Sequence, residues 1–239
     1  SVFTTLEPCS HIGKTPSCAT LLSKLKIKKL FVGSLDSNEA ACGGNKIVED
    51  ADIEVENSVL AKECDNLLNP FKLWQSKKFV FFKWAQRLNG TVDGGTISSN
   101  SSRALVHAMR DACDLLVIGG NTVRVDRPTL DARLTDGRAP DILIISKSTE
   151  FDKSIPLFNV KGRKVIISDN FSKIENYKNI MIEGGQSMFE LSKDFVDYYL
   201  CFLSAQIGGN MNFTGIEDKF DILNIQKDEQ DIIMWMRRG

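Results

Sequence analysis

Val117-Ile118-Gly119-Gly120-Asn121-Thr122 and Ile182-Glu183-Gly184-Gly185-Gln186-Ser187 share one local grammar. Each runs the apolar end of a strand into a glycine pair, then an amide and a hydroxyl residue where a helix or loop begins. Glycine lets a ligand approach the backbone, and the free N–H groups of a helix start favour an anion such as phosphate. One such unit is most simply an ordinary strand-to-helix turn. Two in one chain predict an α/β layer architecture with a nucleotide site. Neither matches G-x-G-x-x-G, so a standard Rossmann dinucleotide domain is not expected.

Outward from these turns, strand signals alternate with helix signals. Strands are expected at 79–85, 115–118, 142–145, 165–167, 180–182 and 198–204, and a closing strand at 232–236. Helices are expected at 103–112 and 188–195. Before Phe79, the run from Asn69-Pro70 to Lys78 marks a boundary, which gives two domains, residues 1–76 and 77–239. The first domain shows strand signals at 2–6, 29–33 and 51–55 and helical spacing at 19–25 and 59–68.

The chain has 239 residues, 42% of them apolar, enough for a real core. A net charge of −1 gives no electrostatic case for nucleic acid or a membrane surface. No apolar run approaches the roughly 20 residues of a membrane span. The six cysteines are sparse and irregular, which fits a reducing cytoplasm rather than a disulfide framework. The chain opens inside a strand-like run and without methionine, and reads as the C-terminal remainder of a longer protein.

Several residues carry chemistry. Arg103, His107 and Arg110 fall on one face of their helix, and such a face can hold a sugar phosphate through charge-assisted hydrogen bonds. Taken alone it reads as a solvated face with His107 as a surface histidine, while Leu105, Met109 and Ala112 lie on another face. Arg124, Asp126, Arg127 and Arg133 crowd a short proline-containing loop. Lys83 sits among aromatic residues, either at a sheet edge or aimed into a pocket, and strand spacing does not decide. The stretch Glu7-Pro8-Cys9-Ser10-His11-Ile12-Gly13-Lys14-Thr15-Pro16-Ser17-Cys18 offers thiolate and imidazole donors of the kind zinc takes, but two thiolates alone do not close a zinc site.

This stretch resembles the deaminase signature of the bifunctional riboflavin-biosynthesis deaminase/reductases. Lys83…Leu88-Asn89-Gly90, Arg110, the run Gly119 to Arg133 and Ile182-Glu183-Gly184-Gly185 are similar to that family's reductase domain, in the family's order. The resemblance implies a partial cytidine-deaminase-like domain followed by a dihydrofolate-reductase-like domain. It implies two activities: zinc-dependent hydrolytic deamination of a diaminopyrimidinone carrying a ribosylamino phosphate, then NADPH-dependent reduction of the ribosyl group to a ribityl chain. By the same resemblance Cys9 and Cys18 are zinc ligands, and His11, Lys14, Arg110, Leu130, Arg133 and Glu183 contact the phosphorylated pyrimidine substrate. Ala85, Thr96, Thr122, Asp126, Ser146, Gly185, Gln186 and Ser187 line the NADPH pocket. A homo-oligomer, dimer or tetramer, is implied as well.

The chain departs from the family pattern in places. The family's His-Ala-Glu segment, which supplies the third zinc ligand and the proton shuttle, is absent, so this chain is not expected to deaminate or to hold zinc tightly. No catalytic side chain is identified in it. Gly94-Gly95-Thr96 is short and lacks the family's tryptophan, Asn89 replaces an aspartate, and Arg127 replaces a frequent acid. Two rival readings are a reductase with an inert N-terminal scaffold and a non-catalytic nucleotide- or zinc-binding module.

Overall fold

The computed structural model describes residues 1–13, 15–213 and 216–239. Its chain divides into two units, Ser1–Leu73 and Trp74–Gly239. The first contains β1 (Val2–Leu6), α1 (Cys18–Ser23), β2 (Lys29–Ser34), α2 (Gly44–Glu49) and β3 (Glu54–Glu56), and α3 (Ala61–Ser76) begins in it. The three strands form a parallel sheet in the order β1-β2-β3. Parallel neighbours need crossover connections, which α1 and α2 provide. Ala19, Leu30, Val32, Val48 and Ile53 form the buried core between helices and sheet.

Two expectations for this unit shift. Asp52 adopts a left-handed φ of 58°, so the chain is still turning there and β3 starts only at Glu54. The helix expected over 59–68 does not end before Pro70, because α3 continues through it to Ser76. Proline removes one helical N–H. No residue of α3 is fully buried, so water can serve the carbonyl left without its donor.

The second unit holds β4 (Phe79–Arg87), α4 (Asn100–Ala112), β5 (Leu115–Gly119), α5 (Gly120–Asp126), β6 (Asp141–Ile145), β7 (Val165–Ser168), β8 (Asn179–Glu183), α6 (Gln186–Ser192), β9 (Tyr198–Ser204), β10 (Phe220–Asp228) and β11 (Asp231–Arg238). They build an eight-stranded sheet in the order β10-β11-β9-β4-β8-β5-β6-β7. The run from β9 to β7 is parallel, and β11 and β10 add antiparallel strands at one edge. This is the expected α/β class with a central sheet. Sequence reading offered no strand at β10, whose residues are mostly exposed and whose alternation is broken by a bulge between Ile222 and Asn224.

Strands covered on both faces read as continuous apolar runs, as β5 and β8 do. Their side chains nevertheless alternate between faces. Val80, Phe82, Leu115, Val117, Ile180 and Ile182 join one core with Met188 and Phe189 of α6. Phe82 and Phe189 meet edge to face at 5.5 Å. Lys83 and Glu183, one residue further along β4 and β8, therefore project from the other face.

The start of α4 is tied to the β10–β11 hairpin. Ser99 caps the helix by accepting from the Ser102 N–H, and its own N–H donates to Asp231 Oδ2 at 2.7 Å. The Ser101 and Ser102 hydroxyls donate to the Asp228 carboxylate. Two hairpin acids thus satisfy the first turn of α4 and favour its dipole.

Candidate active site

Lys83, midway along β4, and Glu183, the last residue of β8, are cross-strand neighbours. Arg110 reaches them from the last turn of α4. Its Nε donates to Glu183 Oε1 at 3.1 Å, and its Nη2 donates to Oε1 at 2.9 Å and Oε2 at 3.2 Å. Only 12% of the Arg110 side chain and 13% of the Glu183 side chain is exposed. Burial pushes the Glu183 carboxyl up, but Arg110 and Lys83 together outweigh it and hold it below the ordinary carboxylate range. Burial pushes the Lys83 ammonium down, the attraction of Glu183 opposes this, and Arg110 adds to it, so the net direction is downward. Lys83 Nζ lies 5.5 Å from the centre of the Phe202 ring. Among the described residues it makes no hydrogen bond.

Lys83 and Arg110 open into a cleft of about 500 Å3. The β4–α4 connection contributes Thr96 and Ser98, and α4 adds Arg103, Val106 and His107. The stretch from Asp126 to Leu130, with Arg133, completes the wall. Thr96, Arg110, Asp126, Leu130 and Arg133 share one cleft, and Glu183 joins it through Arg110. Lys83, left undecided by strand spacing, faces the pocket.

The Leu130 segment is held in an uncommon conformation. Leu130 is buried with a left-handed φ of 56°, and Arg127 caps α5 with a φ of 44°. The clamp is Arg163, which no sequence signal singled out. Its guanidinium donates to the Thr129 carbonyl at 2.7 Å, the Pro140 carbonyl at 2.9 Å and the Leu130 carbonyl. Burial pushes its pKa down to about 10, so it stays charged at neutral pH. Arg163→Met leaves those carbonyls without their donor. A loss of about 2–3 kcal/mol in urea unfolding is expected, and a change within error would show that the clamp is dispensable.

His107 is not the surface residue expected from its helix position. It is buried, 5% exposed, because the short turn Arg133–Thr135 packs over this face of α4. The Leu134 N–H donates to His107 Nδ1 at 3.4 Å, which makes Nδ1 the acceptor and leaves the proton on Nε2. Burial and then Arg110 push the His107 pKa below 6.5. The unfolded chain thus binds more protons between that lowered value and 6.5, and stability falls as the pH drops through this window. His107→Gln is expected to flatten melting temperature against pH from about pH 7 to 5; an unchanged slope would assign the acid sensitivity elsewhere.

The other residues expected at a cofactor site lie along the same C-terminal edge of the parallel strands rather than in the cleft wall. Ala85 follows Lys83 on β4, and Gly119 at the end of β5 is paired with Ile145 of β6. Gly120 approaches Ser146 so closely that a Cβ would overlap its side chain. Thr122 lies in the first turn of α5, and Arg124 Nη2 donates to Ser146 Oγ at 3.2 Å while its guanidinium covers Phe151. Gly185 precedes α6 with nothing within 4 Å of where a Cβ would stand, and Gln186 and Ser187 open that helix. Ligands of open α/β sheets bind in the crevice outside such strand ends.

In the first unit, His11 is exposed, and Lys14 lies outside the described residues. Cys9 and Cys18 are adjacent, with the Cys18 N–H donating to Cys9 Sγ at 3.3 Å. All six cysteines are free thiols. Among the described residues no three His, Cys, Asp or Glu side chains gather as a metal site would require. Two thiols do not fit a four-coordinate zinc centre. The loop is instead held by Glu7, a residue sequence reading left without a role. Its carboxylate accepts from the N–H groups of Asp36, Gly43 and Asn45.

A family profile described as the RibD C-terminal domain matches residues 78–234. The chain belongs to that family. The riboflavin biosynthesis protein RibD of Actinobacillus pleuropneumoniae is 33% identical over 91% of this chain and 63% of its own length. The chain thus spans less than two thirds of that relative. RibD of Aquifex aeolicus is 28% identical over 100% of this chain and 80% of its own. The crystal structure of a diaminohydroxyphosphoribosylaminopyrimidine deaminase/5-amino-6-(5-phosphoribosylamino)uracil reductase from Thermotoga maritima superposes with a TM-score of 0.71 and 26% identity, over 99% of this chain and 79% of that one. A riboflavin biosynthesis reductase of Saccharomyces cerevisiae shares the fold, with a TM-score of 0.53 and 16% identity over 74% of this chain and 100% of its own. No described helix is long and apolar enough to cross a membrane.

Proposed function

We propose that the second unit is an NADPH-dependent reductase of riboflavin biosynthesis, which converts a phosphoribosylamino-uracil to its ribityl counterpart. The observation that carries this reading is the charged floor of Lys83, Glu183 and Arg110, opening into an arginine-rich cleft beside two glycine-paired strand ends. Lys83 Nζ and the Arg110–Glu183 pair offer donors and an acceptor at fixed positions for the polar edge of a pyrimidine. Arg133 and Leu130 take the rest of the substrate.

The described residues fit NADPH at one edge of the sheet. Nothing stands within 4 Å of where a Cβ at Gly185 would be, which leaves room for a pyrophosphate against the backbone before α6. Ala85, Thr96, Thr122, Asp126, Ser146 and the run Gly185 to Ser187 would hold it, and when bound it supplies hydride. The chain's own contribution is binding and orientation in the cleft.

Residues 1–76 we assign to the C-terminal part of a zinc deaminase domain, with Cys9 and Cys18 as two of its ligands. No deamination step is derived from them, because the described donors do not close a zinc site. That observation favours a second reading of this chain as a reductase alone. The test is NADPH oxidation, followed by absorbance, with the phosphoribosylamino-uracil and with its precursor that still bears the amine. Oxidation with the first and none with the second supports the reductase assignment. No oxidation by folded protein with either would overturn it.

A further inference from the structure

The connection from β4 to α4, residues 88–99, is shorter than the family pattern and still supplies Thr96 and Ser98 to the cleft. Its support comes from the segment 206–212 after β9, none of whose residues lines the cleft. The Leu88 N–H donates to the Gln206 carbonyl at 2.9 Å, and the Val92 N–H donates to the Met211 carbonyl at 2.8 Å. Thr91 and Asn212 form an antiparallel bridge. The side-chain amide of Gln206 donates to the Ile97 carbonyl at 3.2 Å. Ile97 is buried, so its neighbours Thr96 and Ser98 are the residues that open to the cleft.

Two charged side chains close this tie. Arg87, the last residue of β4, is 5% exposed and forms no ion pair among the described residues. Its guanidinium donates to the Gly94 carbonyl at 3.0 Å and to the Asp93 carbonyl. A buried charge is tolerated only when hydrogen-bonded, and here the acceptors are the turn itself. The Asp93 side chain then reaches across to the other segment, where its Oδ1 accepts from the N–H groups of Asn210 at 2.8 Å and Met211 at 2.9 Å. The approach is close enough to need a glycine. Gly209 has a left-handed φ of 74°, and a Cβ on it would stand 2.6 Å from Asp93 Oδ1 and 2.9 Å from Thr91.

We infer that Arg87 and Asp93 are positioning residues of the reductase site: they clamp the 88–99 connection to the 206–212 segment and so fix Thr96 and Ser98 in the cleft wall. This deepens the reductase reading and rests on it. Without the clamp, a connection that turns through Gly90, Gly94 and Gly95, all at positive φ, must be ordered when ligand binds, and that entropy is taken from affinity. The 206–212 segment thereby sets the cofactor side of the cleft without touching what binds there.

The experiment measures NADPH Kd by fluorescence titration and native-state amide exchange on the full chain. The variants are Asp93→Ala, Asp93→Asn, Gly209→Ala and Arg87→Met. Asp93→Asn keeps a side-chain oxygen for both N–H groups. Asp93→Ala removes it, Gly209→Ala displaces it from the opposite segment, and Arg87→Met keeps the stem without the donors. Asp93→Ala, Gly209→Ala and Arg87→Met are each expected to weaken NADPH binding by about 5-fold to 30-fold. They should also speed exchange at Val92, Asn210 and Met211 while Leu116 and Ile182 stay protected. Asp93→Asn should remain close to the wild type in both measurements. Tyr177→Phe removes a hydrogen bond to Asp141, of 2.9 Å, outside the cleft, and controls for stability alone. It should lower the melting temperature and leave Kd unchanged. Unchanged exchange in Asp93→Ala, faster exchange there with Kd unaltered, or an equal loss of affinity in Tyr177→Phe would overturn the positioning role. Failure of the wild type to bind NADPH would overturn the reductase reading, and faster exchange confined to the two segments would still support the clamp.

Discussion

Arg110→Ala is expected to lower the unfolding free energy by about 3–5 kcal/mol at neutral pH and to abolish turnover. The size follows from burial. Arg110 and Glu183 are both nearly enclosed, and three hydrogen bonds join them. Removing the cation strands a carboxylate whose remaining support is Lys83. Removing both partners, in Arg110→Ala/Glu183→Ala, should recover much of the stability but none of the activity, because the desolvated charge is gone while the substrate contacts are not restored.

The pH dependence gives an independent check. Glu183 in the wild type sits below the ordinary carboxylate value of 4.5, so it contributes stability above that pH, which is lost as the pH falls through its folded value. Without Arg110, burial dominates and the carboxyl moves upward. The deficit of Arg110→Ala should therefore shrink on acidification, as Glu183 takes up a proton in the folded state. Urea unfolding at neutral pH and near pH 4.5 measures both. A deficit independent of pH would mean that the pair is not the cause, and a double variant no more stable than Arg110→Ala would mean the same.

Much of this arrangement is legible in the amino-acid sequence. The parallel strands of the second unit announce themselves because burial on both faces leaves apolar runs, as at 115–118 and 180–182. The glycine pairs mark where those strands end. What escaped reading depends on the third dimension. The face of Lys83 is set by its register with Glu183 across two strands far apart in sequence. His107 is buried by the Arg133–Thr135 turn, and helix spacing carries no record of what packs over it. Arg163 acts on carbonyl groups 23 to 34 residues upstream, with no pattern to betray it. β10 hides because an exposed, bulged edge strand has neither a buried face nor a strict period.

Arg133→Ala is the second large effect. It should raise the KM for the phosphoribosylamino-uracil by about tenfold or more while NADPH affinity stays within about twofold. Arg133 leaves the short turn at the cleft wall with 56% of its side chain exposed, so its removal buries no unpaired group. Stability should change by no more than about 0.5 kcal/mol. Asp131 binds one end of its guanidinium, at Nη1, and the remaining N–H groups are aimed rather than consumed. The same Asp131 supplies a backbone acceptor to Arg110, so the two arginines are set relative to one another through a single residue. Asp131→Asn should then raise KM less than Arg133→Ala does, since the amide keeps an acceptor for the guanidinium but loses its charge. KM by initial rates and NADPH Kd by fluorescence titration separate the two ligands. An equal loss of both affinities in Arg133→Ala would place Arg133 at the cofactor, and the division of the cleft between cofactor edge and substrate wall would have to be redrawn.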